Sequence, residues 1–227
     1  MNASKGSSGA VATPDLDSRS AGAVMDKSAE FDDDFVVRVE IVGNAPILFH
    51  KWDCDDVQEK ADAVKGGERK KTDNLEAYVY RRKDKLLGVP GINFKRCIAA
   101  AGKKFKDPSS PRKSAMELFE AGILVLPVAE TEDGHSDIAA FEPKTKEWQF
   151  VDRRRAVIQG NGITRSRPGL SVGWKLSFDI TVLAPEYISE AFLQQVVQRA
   201  GKLTGLCDGR PEFGRFRLTR FERIELK

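Results

Sequence analysis

Trp174-Lys175-Leu176-Ser177-Phe178-Asp179-Ile180-Thr181-Val182 is the stretch on which the fold turns. Apolar and polar residues alternate without a break, the period of a strand with one buried face. Ala184-Pro185-Glu186 then turns the chain. Ser189 is placed to cap a helix running to about Leu203, because Ile188, Phe192, Val196, Ala200 and Leu203 share one face. Gly201, Gly205, Gly209 and Gly214 punctuate a loop. Residues Arg215 to Leu226 read as a closing strand, with Phe216, Leu218, Ile224 and Leu226 on one face and Arg215, Arg217, Thr219 and Arg223 on the other. Near the other end, Phe35-Val36-Val37-Arg38-Val39-Glu40-Ile41-Val42 alternates in the same way and predicts an opening strand. Together these elements predict an α+β fold with a ferredoxin-like or RRM-like core, carrying helical and β-hairpin insertions over about 44–170.

The segments between are less regular. Residues 1–34 are rich in Ser, Gly, Ala and Asp, and predict a disordered acidic tail that buries too little apolar surface to offset its ordering entropy. Residues 35–227 read as a single domain. Pro46–His50 is a short apolar run, 55–65 suits a polar helix, and Ala77–Tyr80 suits a strand. Phe94, Cys97, Ile98, Ala101 and Phe105 form the apolar stripe of a helix over about 93–105. Its other side carries Lys95, Ala99, Gly102, Lys103 and Lys106, a basic, small-residue face open to a phosphate backbone. A short helix is expected over 114–121, and a strand over 123–128, where Pro127 suggests an edge strand or a strand end. Residues 147–170 read as a hairpin around Gly160-Asn161-Gly162, and its five arginines suggest an exposed arm.

Charge is segregated along the chain. The overall net is +3, but residues 1–34 carry −4, 81–113 carry +9, 114–143 carry −7 and 144–227 carry +7. Blocks of this kind can make single-sign patches that attract or repel polyanions, or fold into solvated faces of mixed charge. No apolar run is long enough to span a membrane, and the N-terminus lacks the apolar core of a secretion signal. Three widely spaced cysteines, Cys54, Cys97 and Cys207, argue against a disulfide framework or a zinc site, and suit a reducing, cytoplasmic setting. With His50 and His135 the only histidines, His-rich metal chemistry is nearly excluded, and no cofactor is expected.

The segment Gly201–Arg215 is not a nucleotide-binding P-loop, since it lacks a terminal G-K-[S/T] and follows a helix rather than a strand. Its glycines can expose backbone N–H groups to phosphate beside Arg210 and Arg215, or they can simply cap a helix and make turns. His50 is the one candidate general base, with Lys51 beside it. Asp53, Asp55 and Asp56 fit a helix N-terminus better than a Mg²⁺ site.

Two of these features resemble the RAMP proteins of CRISPR effector complexes. The helix, Gly-rich loop and final strand around Gly205–Phe216 are similar to their C-terminal signature, with sparser glycines here. Gly88-Val89-Pro90-Gly91-Ile92-Asn93-Phe94-Lys95-Arg96 is similar to the lead-in of their guide-contacting helix. Bacteriophage-encoded proteins share this style of sequence. The resemblance spans residues 35–227 and implies a non-catalytic, backbone-type subunit that assembles along single-stranded RNA, with the arginine hairpin in the place of a thumb.

The residue types agree with strand binding, which needs cations along the backbone and flat side chains for stacking. The expected nucleic-acid contacts are Lys95, Arg96, Lys103, Lys104, Arg153, Arg154, Arg155, Arg165, Arg167, Arg210, Phe213, Arg215 and Arg217, the partner being single-stranded RNA or DNA with RNA favoured. The expected assembly is a homo-oligomeric filament or a ribonucleoprotein complex, with no membrane involved. Two alternatives stand beside this reading: a metal-independent endoribonuclease using His50, and a phage structural or assembly protein.

Overall fold

The computed structural model describes residues 34–64, 67, 73–128, 137–158 and 161–224, excepting the side chains of 156–158 and 161–163. The expected acidic tail before Asp34 and the acidic loop holding His135 lie outside the described residues.

A four-stranded antiparallel sheet forms the centre. Its strands are β1 (Phe35–Gly43), β6 (Ile123–Pro127), β10 (Lys175–Val182) and β11 (Phe216–Ile224), in the order β11-β1-β10-β6. Helix α2 (Gly91–Gly102) lies between β1 and β6, and α4 (Glu190–Arg199) between β10 and β11. This is βαββαβ with the order of a ferredoxin-like sheet, so the α+β expectation holds. The insertions place β2 (Ile47–Leu48), α1 (Cys54–Asp62) and β3 (Gly88–Pro90) before α2. The hairpin β4 (Lys106–Asp107) and β5 (Ser110–Ser114), with α3 (Met116–Ala121), follows α2. Then β7 (Ile138–Ala140) and the long hairpin β8 (Phe150–Ile158) and β9 (Asn161–Leu170) separate β6 from β10.

Alternation sets which face is buried. Val37, Val39, Ile41, Leu176, Phe178, Ile180 and Val182 are buried on the helix side of the sheet. Phe94 of α2 stacks on Phe178 at 4.5 Å and tilts against Phe216 at 5.7 Å. Truncating a wholly buried ring of this kind costs roughly 3–5 kcal/mol. From α4, Leu193, Val196 and Val197 complete the layer, and the Ser189 hydroxyl accepts from Phe192 N as the expected cap.

Four expectations are corrected. Ala77–Tyr80 is no strand: a 3₁₀ turn occupies Glu76–Tyr78. α2 ends at Gly102, so Phe105 lies beyond it. Ala99 and Gly102 are buried rather than open to phosphate, because α3 packs there; a Cβ on Gly102 would stand 3.1 Å from the Ala115 carbonyl oxygen. In β11 the register with β1 slips between Glu40 and Ile41. This bulge at Thr219 exchanges the faces of everything after it. Phe221 therefore packs on the core, Arg223 lies over the Phe35 ring at 4.9 Å, and Ile224 pairs with Val36 on the outer side.

Candidate nucleic-acid interface

The sheet's outer face is tied up in its own charges. Arg38 donates through Nε and Nη2 to both carboxylate oxygens of Asp179, each at 2.8 Å, and Arg220 donates to Glu40 at 3.0 Å. Among the described residues this face holds no aromatic side chain, so the stacking platform of an RRM is missing from it. The candidate site lies off the sheet, where the insertions meet α2 and the Gly-rich loop.

Three segments build it. In the first, Leu48 of β2 pairs with Gly169 of β9 and bridges to Asp208, while Phe49 is buried edge-on against Phe141 at 5.7 Å. With Phe49 pinned, His50 emerges at the surface, and Trp52 stands 69% exposed. Asp53 follows as the N-cap of α1, accepting from Asp56 N, so this acidic cluster serves a helix end. The second segment is the start of α2, where Asn93 and Arg96 stand three residues apart on one face. Asn93, Tyr80 and Cys207 line the same hollow. The third is the Gly-rich loop. Leu206 N donates to Gly214 O at 2.8 Å, Gly214 N to Pro46 O at 2.7 Å, and Asp208 N to Leu48 O at 3.0 Å. The loop thus closes on itself and is tied to the β1–β2 turn.

The resulting cleft, of about 290 Å³, is lined by His50, Trp52, Tyr80, Asn93, Arg96, Cys207, Asp208 and Arg210. Its single carboxylate among the described residues is internally compensated. Asp208 Oδ2 accepts from Arg165 and from Arg167, each at 2.9 Å. Burial pushes that carboxyl up, but the Gly209 backbone donor and the two guanidiniums outweigh it and hold it below the ordinary range. Burial, then the neighbouring Arg167 charge, lowers the His50 imidazole below its ordinary value, favouring the neutral ring. Burial pushes the Cys207 thiol up to about 12, so it is no thiolate at neutral pH. Among the described residues no metal-ligating group of three His, Cys, Asp or Glu side chains occurs.

The expected contact residues divide among several places. Arg96 and Arg210 line the cleft, and Arg165 stands beside it on β9. Arg167 is the correction to the exposed arm: it is 7% exposed, paired with Asp208 and laid over the Tyr78 ring at 4.4 Å. Arg154 pairs with both oxygens of Asp152 and covers the Phe213 ring at 4.8 Å, so one face of that ring is already taken. Arg215 donates to the Pro211 carbonyl and clips the loop. By alternation along β8, Arg153 and Arg155 face away from Arg154 and from Arg165 paired with it. Arg217 pairs with Val42 on the outer side of the sheet, and Lys95 is half-buried on α2 away from the cleft lining. Lys103 and Lys104 stand at the opposite end of α2. Sequence reasoning missed Trp52, Tyr80, Asn93 and Asp208. Trp52 left a signal, an indole in the polar run between Lys51 and Asp53, and Asn93 lies within the Gly88–Arg96 segment.

This division predicts contrasting variants. Arg167→Ala is expected to lower stability by roughly 2 kcal/mol, less than the 3–5 of a wholly buried broken pair because Arg165 still faces Asp208. Arg153→Ala should shift it by no more than about 0.5 kcal/mol. Urea titration of both proteins checks the contrast; equal losses would remove Arg167 from the structural set.

No protein-family model matches the chain, and no curated protein matches it. Among solved structures it is similar to a chain of the cryo-EM structure of the Type III-B Cmr-beta bound to cognate target RNA. That similarity has a TM-score of 0.49 and 12% identity, and covers 85% of this chain. The chain spans 61% of that chain's length. The ferredoxin-like assignment rests on the strand order and connectivity of this chain itself.

Proposed function

We propose that the protein is a non-catalytic single-stranded nucleic-acid-binding protein, with RNA the favoured strand, acting as a subunit of a ribonucleoprotein assembly. The observation that carries this reading is the cleft itself. Arg96 and Arg210 supply exposed charge with no ion pair among the described residues, Trp52 and Tyr80 supply flat surfaces, and Asn93 offers polar atoms to a base edge or a 2′-hydroxyl. Head-to-tail assembly along the strand belongs to the same proposal, since residues 114–143 carry −7 against +9 over 81–113.

Fluorescence anisotropy with labelled single-stranded RNA at two salt concentrations tests it. Binding is expected at low salt, weakening as salt rises because phosphate contacts release counterions. No binding at low salt would end the proposal.

A ribonuclease is the second reading, favoured by one observation: His50 lies in the cleft with its neutral form favoured, the state a general base requires. Acid–base cleavage of RNA needs a second positioned proton donor, and Tyr80, its hydroxyl raised by burial, is the group the cleft offers. The expected result is binding without cleavage, and His50→Ala binding as the wild type does. Cleavage that survives EDTA and is lost in His50→Ala would establish the enzyme instead.

A further inference from the structure

The cleft opens into a longer path. A hollow lined by Ala100, Arg165, Leu203 and Thr204 shares Cys207, Asp208 and Arg210 with it. One residue before Leu203, Lys202 lines the next hollow with Arg199, Gln195, Gln198 and Phe105. Phe105 in turn borders a third hollow of about 260 Å³, lined by Lys103, Lys104, Lys106, Arg112 and Lys113. Among the described residues, every charged side chain lining this sequence of hollows is cationic except Asp208, which Arg165 and Arg167 already neutralise. Asn93 in the cleft and Lys103 at the far hollow are ten residues apart, about 15 Å of helix.

The far hollow is held open by local structure. Asp107, the acid in the β4–β5 hairpin, is 7% exposed and accepts from both Ser109 N and Ser109 Oγ, at 2.8 and 2.7 Å. It therefore turns into the hairpin rather than across the cations. Glu117 reaches Lys113 at 3.4 Å, but both are well exposed, so the pair is weak. Phe105 packs edge-on against Phe192 at 5.7 Å, and fixes the floor between the two outer hollows.

We propose that a bound strand leaves the cleft past Arg210, crosses the C-terminal ends of α4 and α2, and ends in the basic hollow of the β4–β5 hairpin. The proposal rests on the strand-binding reading above, and gives it a direction and a length. A strand suits this path better than an acidic protein surface, because the cations are distributed over successive hollows rather than gathered in one patch.

The experiment is anisotropy with a series of oligouridylates of increasing length. Wild-type affinity is expected to rise beyond the length that fills the cleft. The triple variant Lys106→Ala, Arg112→Ala, Lys113→Ala should bind the shortest oligomers as the wild type does and lose the gain from length. Its salt slope on long oligomers should fall by ~0.7 for each phosphate contact removed. Lys202→Ala, halfway along, should give a smaller loss with the same dependence on length. Equal losses on short and long oligomers, or no loss on either, would overturn the path; the latter would leave the hollow to an acidic protein surface. A wild type that binds no oligomer would overturn the path together with the reading beneath it.

Discussion

A Gly214→Ala protein is expected to lose more than about 4 kcal/mol and to be largely unfolded, a size seen only when one specific structural feature is broken. Gly214 has a φ of +72°, and a Cβ there would lie 1.9 Å from the Leu206 carbonyl oxygen and 2.7 Å from its nitrogen. Both are backbone atoms, so no side chain can swing aside. The same residues exchange the bond that closes the loop, and Gly214 N holds Pro46 O. One methyl group therefore parts the loop from the β1–β2 turn on which His50 and Trp52 depend. Gly173, with a φ of +99° and nothing within 4 Å of its virtual Cβ, is the control. Gly173→Ala meets only backbone strain, about 1–2 kcal/mol. Urea unfolding of the two variants measures the difference, and a Gly214→Ala midpoint near that of the wild type would refute the close approach.

The largest effect on binding is expected from Arg96→Ala combined with Arg210→Ala. The two come from different elements, the first turns of α2 and the Gly-rich loop, and converge on one cleft. Both are exposed, and neither is ion-paired with a described residue. Each contact between a charged donor and a phosphate is worth roughly 1.5–3 kcal/mol, so losing both should weaken RNA binding by on the order of 100-fold or more. The salt slope should shrink by ~0.7 per contact. Thermal stability should stay within the usual small shift of a surface change, about 0.5 kcal/mol for each substitution. A double variant that binds as tightly as the wild type would move the interface off this cleft.

The core was legible because alternation is a long, redundant signal. Trp174–Val182 and Phe35–Val42 each repeat the period several times, and the two pair in register over their length. The closing strand was half legible: one inserted residue at Thr219 reverses its faces, and a single insertion leaves no periodic mark. Small residues misled for a different reason. Ala99 and Gly102 look like an open face, yet small side chains also let a second helix approach closely, and α3 uses them so. The site was the least legible part. Arg96 and Arg210 were found as cations near glycines, but Arg167 looks the same in sequence. Only Asp208, brought from 41 residues away, turns it inward. Tyr80 and Asn93 line the same hollow as Cys207 and Asp208 of the loop, an arrangement between segments that no local pattern records.

The strand order has a consequence for synthesis of the chain. β1 lies between β10 and β11 and pairs with no earlier partner; its Arg38 meets Asp179 across 141 residues. At the usual pace of translation that interval is roughly seven to thirty seconds. For that time the valine-rich segment Phe35–Gly43 has left the ribosome with both edges open, the kind of segment that recruits other nascent chains. Asp32-Asp33-Asp34 immediately before it, and Arg38 and Glu40 within it, are charges of the kind that keep such segments apart while they wait. In the finished sheet, Arg38 and Glu40 become the partners of Asp179 and Arg220. The same two side chains thus serve first as guards of a solitary strand and later as the clasps of the completed one.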